Sequence, residues 1–203
     1  MSDNKYLSHA LTLINKAKTL IAEQDWTQVS HSDDITLDCK DFPDVCDVHC
    51  YRANSITDKT PEQLANQVWN VTEQTQKTDD HDIMEWKVVE GGNNWRVFAQ
   101  LNKLPWPLFP RQTLCAQMVL QEEEASNDIY WTVSYSIDHD KVSKQEDKYV
   151  RTKVVMLINK FEKVGNKTHI WRLSQVDPSG NIPKSVLNLY SSKIVTAVKK
   201  LKH

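Results

Sequence analysis

The feature that most constrains the fold is a series of short alternating segments that fills the middle of the chain. Polar and apolar residues alternate over residues 83–90, 94–101, 111–121, 129–137, 149–160 and 168–176. A period of two is typical of strands that bury one face, and short connections indicate antiparallel neighbours. The sequence therefore predicts an antiparallel meander whose apolar face needs another element to cover it.

The segment that follows the last of these strands is suited to cover the sheet. It spans residues 183 to 201 and begins with Pro183, which fits the first turn of a helix. Its apolar residues recur on one face. They are Val186, Leu187, Tyr190, Ile194, Val198 and Leu201. The pattern predicts a long amphipathic helix that lies against the sheet.

The first part of the chain predicts two more helices and three more strands. Apolar residues at three- and four-residue spacing predict a helix over residues 5 to 23, and alternation predicts strands near 27–31, 35–39 and 48–56. Thr60 followed by Pro61 is a typical helix start, which predicts a second helix over residues 61 to 76. With about nine strands and no repeat or linker, residues 1–203 are expected to form one α+β domain.

Two connections have a distinctive composition. Gly91 and Gly92 separate two alternating segments and predict a tight hairpin turn, since glycine adopts positive φ without strain. Residues 102 to 110 contain three prolines, which exclude a central strand and favour an ordered surface loop. This loop carries Trp106, Leu108 and Phe109, and an apolar loop requires an explanation.

Composition and charge exclude several classes of function. The net charge of −2 offers no general attraction to nucleic acid or to an anionic membrane, and no basic patch with interleaved aromatic residues is present. The N-terminal residues lack the continuous apolar run of a signal peptide or a membrane span. We therefore expect a cytoplasmic protein with reduced cysteines that does not bind nucleic acid.

The sequence predicts no catalytic residues, no metal and no cofactor. Cys39, Cys46, His49 and Cys50 are close in sequence but form no Cys-x-x-Cys pair, and adjacent residues of a strand face opposite sides. Gly-rich phosphate loops and the common hydrolase motifs are missing. His139 has acidic neighbours, but it lies at a predicted strand end, where a solvated loop is expected.

The order of the elements and several strings of residues resemble the START (steroidogenic acute regulatory-related lipid transfer) family over nearly the whole chain. The strings are Cys50-Tyr51-Arg52-Ala53, Pro105-Trp106-Pro107 with Arg111, Tyr149-Val150-Arg151, and Asp177-Pro178-Ser179-Gly180-Asn181-Ile182-Pro183-Lys184. The resemblance implies a helix-grip fold, in which a curved antiparallel sheet wraps around the C-terminal helix and encloses an internal lipid tunnel.

The resemblance also implies a gate. The helix over residues 183–201 and the loop residues Trp106, Leu108 and Phe109 would open and close the tunnel, and the loop would dip into a membrane surface when open. The alternative is that these three loop residues permanently cap the edge of the core.

The resemblance implies a ligand site that lacks two known head-group sites. Cholesterol-binding members pair a buried Arg with an acidic residue, and the corresponding positions here are Gln117 and Phe98. Phosphatidylcholine-binding members hold choline in an aromatic cage, and Val155 stands at the corresponding place. Gln112 also replaces the family's usual Asp. The resemblance therefore leaves the head group of the ligand open.

Strand alternation assigns the remaining wall of the tunnel. In the seventh strand Trp131, Val133 and Tyr135 share the more apolar face, which we predict to point inward. In the sixth strand the two signals conflict. Alternation favours Leu114, Ala116, Met118 and Leu120, whereas the resemblance places Thr113, Cys115 and Gln117 inside, and we follow the resemblance. From the C-terminal helix we expect Val186, Leu187, Tyr190 and Ile194 to contact the ligand.

These observations lead to one functional hypothesis and two alternatives. The leading hypothesis is that a monomer binds one hydrophobic lipid, of the sterol or phospholipid class, and transfers it within the cell through transient contact with membrane surfaces, without catalysis. One alternative is a regulatory or interaction module whose partner binding depends on ligand occupancy. The other is a helix-grip enzyme, which requires two titratable groups that converge inside the cavity.

Overall fold

A computed structural model describes residues 4–45, 47–124, 127–145, 147–180 and 182–203, and it leaves the side chains of residues 123, 124, 127 and 184–189 undescribed. The elements, in chain order, are α1 Leu7–Ala22, β1 Thr27–Ser32, β2 Ile35–Lys40, β3 Cys50–Thr57, α2 Pro61–Trp69, α3 Glu73–Asp79, β4 Ile83–Gly91, β5 Trp95–Asn102, β6 Arg111–Glu124, β7 Asn127–Ser136, β8 Val150–Arg151, β9 Lys153–Val164, β10 Lys167–Asp177 and α4 Lys184–Lys202.

The strands form one curved, open sheet in the order β1-β2-β3-β10-β9-β7-β6-β5-β4, with β8 beside β6. All pairs are antiparallel except β6 and β8. The pairing of β3 with β10 joins the first three strands to the rest of the sheet, with Leu173 opposite Arg52 and Ser174 opposite Tyr51. The predicted α+β helix-grip fold is confirmed.

The second helix is shorter than the sequence predicted. It ends at Trp69, and a separate helix, α3, begins at Glu73. Thr72 explains the break. Its hydroxyl accepts a hydrogen bond from the Thr75 backbone N–H, and the Thr75 hydroxyl accepts one from the Thr72 N–H and donates one to the Thr72 oxygen. This capping box starts a new helix at a point where a continuous one would leave the threonine hydroxyls without that role.

The predicted strand over residues 149–160 is divided into β8 and β9. The backbone N–H of Val150 donates to the Pro110 oxygen, and that of Thr152 donates to the Gln112 oxygen. β7 ends at Ser136, opposite Cys115, so it leaves the first residues of β6 without an antiparallel neighbour on that side. The two residues of β8 fill this place.

The hairpin at Gly91 and Gly92 forms, but not for the expected reason. Positive φ among the glycines occurs at Gly165 and Gly180 rather than here. Gly92 instead allows a close approach, since a Cβ atom at this position would lie 2.5 Å from the indole nitrogen of Trp95. The missing side chain, and not a left-handed conformation, therefore makes glycine necessary at Gly92.

Helices cover both faces of the sheet. The outer face packs against α1 and carries a dense apolar cluster that includes Met118, Val133 and Met156, each 0% exposed. The inner face packs against α2 and α4. At one end of the inner face the buried residues Phe161, Ile170, Ile194, Val198 and Leu201, among others, form what we call the helix cluster.

A second group on the inner face surrounds the β4–β5 hairpin, and we call it the hairpin cluster. Its buried members are Ile83, Trp86, Phe98, Cys115 and Val154. Between the helix cluster and the hairpin cluster lie the central parts of β6, β7, β9 and β10. Because those strands are long and both of their faces are covered, their inward side chains decide what the interior can hold.

Candidate ligand site on the inner face of the sheet

Polar side chains cross the middle of the inner face between the two apolar clusters, and we call this set the polar belt. Its members are Arg96, Gln117, Thr132, Ser134, Asn159, Arg172 and Ser174. Strand register brings them together, since Gln117 lies opposite both Arg96 and Ser134, and Asn159 lies opposite both Thr132 and Arg172. All except Arg172 are buried, with at most 8% of each residue exposed.

Arg172, Asn159 and Thr132 form a hydrogen-bonded chain across three strands. Nη1 of Arg172 donates to Oδ1 of Asn159 at 2.9 Å, and Nδ2 of Asn159 donates to Oγ1 of Thr132 at 2.8 Å. The Nε atom of Arg172 is buried and has no hydrogen-bond partner among the described residues. Burial lowers the pKa of Arg172, and Tyr190 opposes this effect.

Tyr190 connects α4 to the polar belt. Its hydroxyl shares a hydrogen bond of 3.0 Å with Oγ of Ser174 on β10, and its ring lies 6.4 Å from that of Tyr51 on β3. Burial raises the pKa of Tyr190 to about 12. The phenol is therefore neutral at physiological pH and acts on the inner face as a hydrogen-bonding group.

Arg96 and Gln117 occupy the β5–β6 side of the belt. Nε of Arg96 donates to Oε1 of Gln117 at 2.7 Å, and Nη1 donates to the Trp69 backbone oxygen at 2.9 Å. The guanidinium carbon also lies 4.5 Å from the ring centre of Trp69 and 5.0 Å from that of Trp86. Burial lowers the pKa of Arg96 to about 10, so the side chain remains charged at neutral pH.

The inner face is less completely filled than the outer face of the same strands. In one pair of neighbours on each of β6, β7 and β9, the inward apolar side chain is half-buried, whereas the outward one is at most 1% exposed. The inward and outward neighbours are Val119 and Met118, Tyr130 and Trp131, and Leu157 and Ile158. Because α4 and α2 lie over the inward side chains, their partial exposure indicates room between the sheet and these helices.

Several residues that the sequence predicted for the tunnel lie on the inner face. Phe98 belongs to the hairpin cluster and stacks on Trp86 with ring centres 6.0 Å apart. Gln117 belongs to the polar belt, and Tyr190 and Ile194 project from α4 into the helix cluster. The side chains of Val186 and Leu187 lie outside the described residues.

Trp131, Val133 and Tyr135 point to the outer face, contrary to the prediction. All three belong to the cluster under α1, and Oη of Tyr135 donates to the Tyr6 backbone oxygen at 2.8 Å. The prediction assumed that the more apolar face of β7 lines the tunnel. Here the apolar face forms the solid core under α1, and the more polar face, with Thr132 and Ser134, looks inward.

The conflict in β6 is resolved in favour of the resemblance. Cys115 belongs to the hairpin cluster and Gln117 to the polar belt, so this face is the inner one. Leu114, Ala116 and Met118 are buried on the outer face. The assumption that the more apolar face lines the tunnel therefore fails in β6 as it does in β7, because in both strands that face packs under α1.

Val155 does not take the place that the alignment suggested. Met156 lies opposite Gln175 and Val154 opposite Val176, so Val155 is the extra residue of a β-bulge. The bulge shifts the alternation of β9, and Val154 rather than Val155 enters the hairpin cluster. Val155 itself is half-buried.

The loop between β5 and β6 is exposed and is fastened to the segment that precedes α4. Trp106 is 93% exposed and Phe109 57% exposed, while Leu108 is half-buried. Arg111, at the end of this loop, donates to the Pro178 oxygen at 2.7 Å and to the Ser179 oxygen at 3.0 Å. At this level of exposure Trp106 does not cap the core, which was the alternative to a gate.

Sequence reasoning missed Arg96 and Arg172, although each carries a signal. Each is the only Lys, Arg, Asp or Glu residue within an otherwise uncharged strand, over residues 95–102 and 168–176. A single charge in a strand that is covered on both faces has to be buried or to reach a partner.

Among the described residues, no helix is both long enough and apolar enough to cross a membrane.

Comparisons with known proteins agree on the fold. A family model described as START domain matches residues 9–203. Human StAR-related lipid transfer protein 5 has a TM-score of 0.78 and 13% identity, over 97% of this chain and 94% of that chain. The lipid transfer and protein localization domain of human StarD13 (DLC2) has a TM-score of 0.70 and 18% identity, over 100% and 97%.

A further solved structure, human STARD10, has a TM-score of 0.73 and 19% identity, over 93% of this chain and 76% of that chain. No curated protein sequence matches the chain. At such low identities the solved structures show a shared fold, whereas the family model covers almost every residue of the sheet and of α4.

Proposed function

The chain belongs to the START domain family, and from this premise we propose that it binds one amphipathic lipid between the inner face of its sheet and α4 and carries it between membranes. The observation that supports this most directly is the incomplete filling of the inner face. Apolar side chains there stay half-buried beneath α4 and α2, and a polar belt crosses them. An apolar wall with a few polar groups is typical of a lipid site.

The titratable groups of the inner face favour binding over catalysis. Burial raises the pKa of Cys115 and of Tyr190 to about 12 each, and Arg96 titrates near 10. A general acid or base works best when its pKa lies near the operating pH. The described inner-face groups are therefore suited to hold a ligand rather than to exchange protons with it.

The loop over residues 102–110 and the N-terminal half of α4 are the proposed gate. Arg111 links the two, because it donates to backbone oxygens that immediately precede α4. Trp106 and Phe109 project into solvent and can enter the interfacial region of a membrane. Contact of the loop with a membrane would then be transmitted to the segment that precedes α4.

The test is to fill the proposed site from within. We expect purified protein to carry extractable lipid in native mass spectrometry, and we expect the variant Leu157→Trp to lose it, because the larger ring occupies the space beside this half-buried side chain. Val164→Trp is the matched control, since Val164 lies on the same strand and is 56% exposed. A protein that never contains lipid, or a Leu157→Trp variant that binds and transfers lipid normally, contradicts the proposal.

A further inference from the structure

Arg172 is one of two arginines of the sheet that have buried guanidinium nitrogen atoms without a hydrogen-bond partner among the described residues, and the other is Arg151 in the short strand β8. Arg172 lies in the middle of β10 on the inner face, with Asn159 on one side and Ala53 on the other. Its hydrogen bond to Asn159 Oδ1, at 2.9 Å, is made by one nitrogen, and the Nε atom is buried without a partner. None of the ion pairs among the described residues includes Arg172.

Three other arginines of the sheet are compensated more fully. Arg52 pairs with Asp38, at 2.9 Å, and donates to three backbone oxygens at the end of α1. Arg96 has Gln117, two backbone oxygens and two aromatic rings. Arg111 donates to three backbone oxygens. Of the two arginines in the polar belt, Arg172 is therefore the one with an unfilled set of donors.

A guanidinium whose Nε atom is buried without an acceptor is unfavourable unless another molecule supplies that acceptor. Transfer of a charge out of water is costly when hydrogen bonds do not replace those with water. The planar fork of an arginine matches the two oxygens of a carboxylate or a phosphate. Neutral hydrogen-bonding groups surround this fork, since Asn159 and Thr132 lie in the same chain of bonds and Tyr190 and Ser174 lie beside it.

We propose that Arg172 binds the anionic oxygen atoms, carboxylate or phosphate, of a lipid head group that enters the inner face head first. This proposal rests on the proposed function and specifies its ligand class. A sterol with a neutral hydroxyl would leave the positive charge uncompensated, whereas an acidic lipid would neutralise it. The ligand is therefore an acidic amphiphile rather than a neutral one.

The packing around Arg172 sets the direction of the ligand. On the side of Ile170 and Phe161 the interior is closed, because both are 0% exposed within the helix cluster. On the other side β10 continues to the half-buried Val176, which packs against the hairpin cluster, and the chain then runs into α4. The head group thus lies deep, at Arg172, and the hydrocarbon chain lies towards the hairpin cluster and the N-terminal end of α4.

The experiment compares acidic and neutral probes with the same hydrocarbon chain. Thermal unfolding and isothermal titration are measured with oleate, with oleyl phosphate and with oleyl alcohol as the neutral reference. We expect at least one acidic probe to bind the unaltered protein about 10- to 100-fold more tightly than oleyl alcohol, which is the range for a hydrogen bond to a charged group. A preference for oleate indicates a carboxylate, and a preference for oleyl phosphate indicates a phosphate.

The variant Arg172→Met should abolish the preference, so that the acidic probes and oleyl alcohol bind with similar affinity. Lys163→Met is the matched control for loss of one positive charge, because Lys163 is exposed on neighbouring β9. If Arg172→Met does not fold, as judged by circular dichroism, Arg172→Gln keeps a donor towards Asn159 and is expected to lose the preference as well.

The possible failures are distinguishable. An unaltered protein that binds all three probes equally overturns the role of Arg172 but leaves lipid binding intact. A substituted protein that retains its preference for acidic probes also overturns it. Binding of no probe, together with no extractable lipid, overturns the proposed function itself.

Discussion

Arg96 is buried on the inner face because acceptors and ring faces surround its guanidinium group. Gln117 supplies the acceptor for Nε, at 2.7 Å, and this glutamine stands where cholesterol-binding relatives of the resembled family carry an arginine. In this chain the neutral side chain is therefore on β6, at Gln117, and the positive charge is on the neighbouring strand β5, at Arg96.

The variant Gln117→Leu should lower the free energy of unfolding by about 1–3 kcal/mol, because Arg96 Nε keeps its burial but loses its acceptor. Urea unfolding at neutral pH measures the change. Gln121→Leu, at an exposed position of the same strand, is the control and should stay within about 0.5 kcal/mol of the unaltered protein. Equal effects of the two substitutions would show that the bond between Arg96 and Gln117 contributes little.

Individual residues also show where prediction from sequence ends. The polar residues of β7 were assigned outward because an apolar face usually lines a core, yet Thr132 and Ser134 face the interior and Trp131 packs under α1. Periodicity gives two faces of a strand but does not say which helix covers each. The position of Arg172 on the inner face likewise depends on residues of neighbouring strands, such as Asn159 and Ala53. A single sequence does not show which strands are neighbours.

At the scale of elements, the C-terminal half of α4 is attached to the rest of the protein by apolar packing and by ion pairs. Ile194, Val198 and Leu201 are buried in the helix cluster. Lys193 pairs with Asp80 at 3.0 Å and with Asp82 at 2.8 Å, next to the end of α3. The split of the predicted helix over residues 61–76 matters here, because α3 places these carboxylates beside α4.

The tie between α3 and α4 should depend on pH. Burial alone would raise the pKa of Asp80, but hydrogen bonds from the Asp82 N–H and from Lys193 outweigh it, and the pKa falls below its ordinary value of 3.8. A lowered carboxyl pKa stabilises the fold above the unfolded pKa, and this contribution is lost as the pH falls through the lower, folded value.

We expect Lys193→Met to be less stable than the unaltered protein by at most about 1 kcal/mol at neutral pH, since these ions are partly exposed. The difference should shrink as the pH falls below about 4 and through the lowered pKa of Asp80. Urea unfolding at several pH values measures both proteins. Lys87→Met, at an exposed position of β4, is the control, and a difference that stays constant into acid would exclude the pair as its cause.

Boundaries of elements were predictable where local chemistry sets them. The capped start of α2 at Thr60 is fixed by its own residues. In contrast, the short strand β8 exists because β7 ends opposite Cys115 and does not reach the first residues of β6. The bulge at Val155 depends on the register of β9 with β10. Such features arise from pairing between distant segments, so a pattern along one segment does not reveal them.

At the scale of the whole molecule, the sheet has one densely packed face and one face with room beneath a helix. Dense packing under α1 supplies stability, so the inner face can remain less filled without loss of the fold. Among the large apolar side chains that the structure describes, Trp106 is the most exposed, at 93%, and it belongs to the loop that adjoins the segment before α4.

Trp106→Ser should therefore reduce binding to lipid vesicles several-fold while leaving the stability within about 0.5 kcal/mol, because the proposed gate places this exposed side chain in the membrane interface and it packs little against the protein. Cosedimentation with vesicles and urea unfolding measure the two effects. Val164→Ser, an exposed apolar residue in the β9–β10 hairpin, is the control and should bind as the unaltered protein does. Unchanged vesicle binding by Trp106→Ser would exclude the loop as the membrane contact.

The two edge strands of the sheet affect the tendency of the protein to aggregate at high concentration. β1 and β4 are the terminal strands in the sheet order, and a flat terminal strand is a template for pairing with another molecule. Both are irregular: the pairing of β1 shifts between Gln28 and Ser30, and that of β4 shifts between Ile83 and Glu85 and between Val88 and Glu90. These bulges twist the two borders away from the flat geometry on which amyloid-like stacking depends.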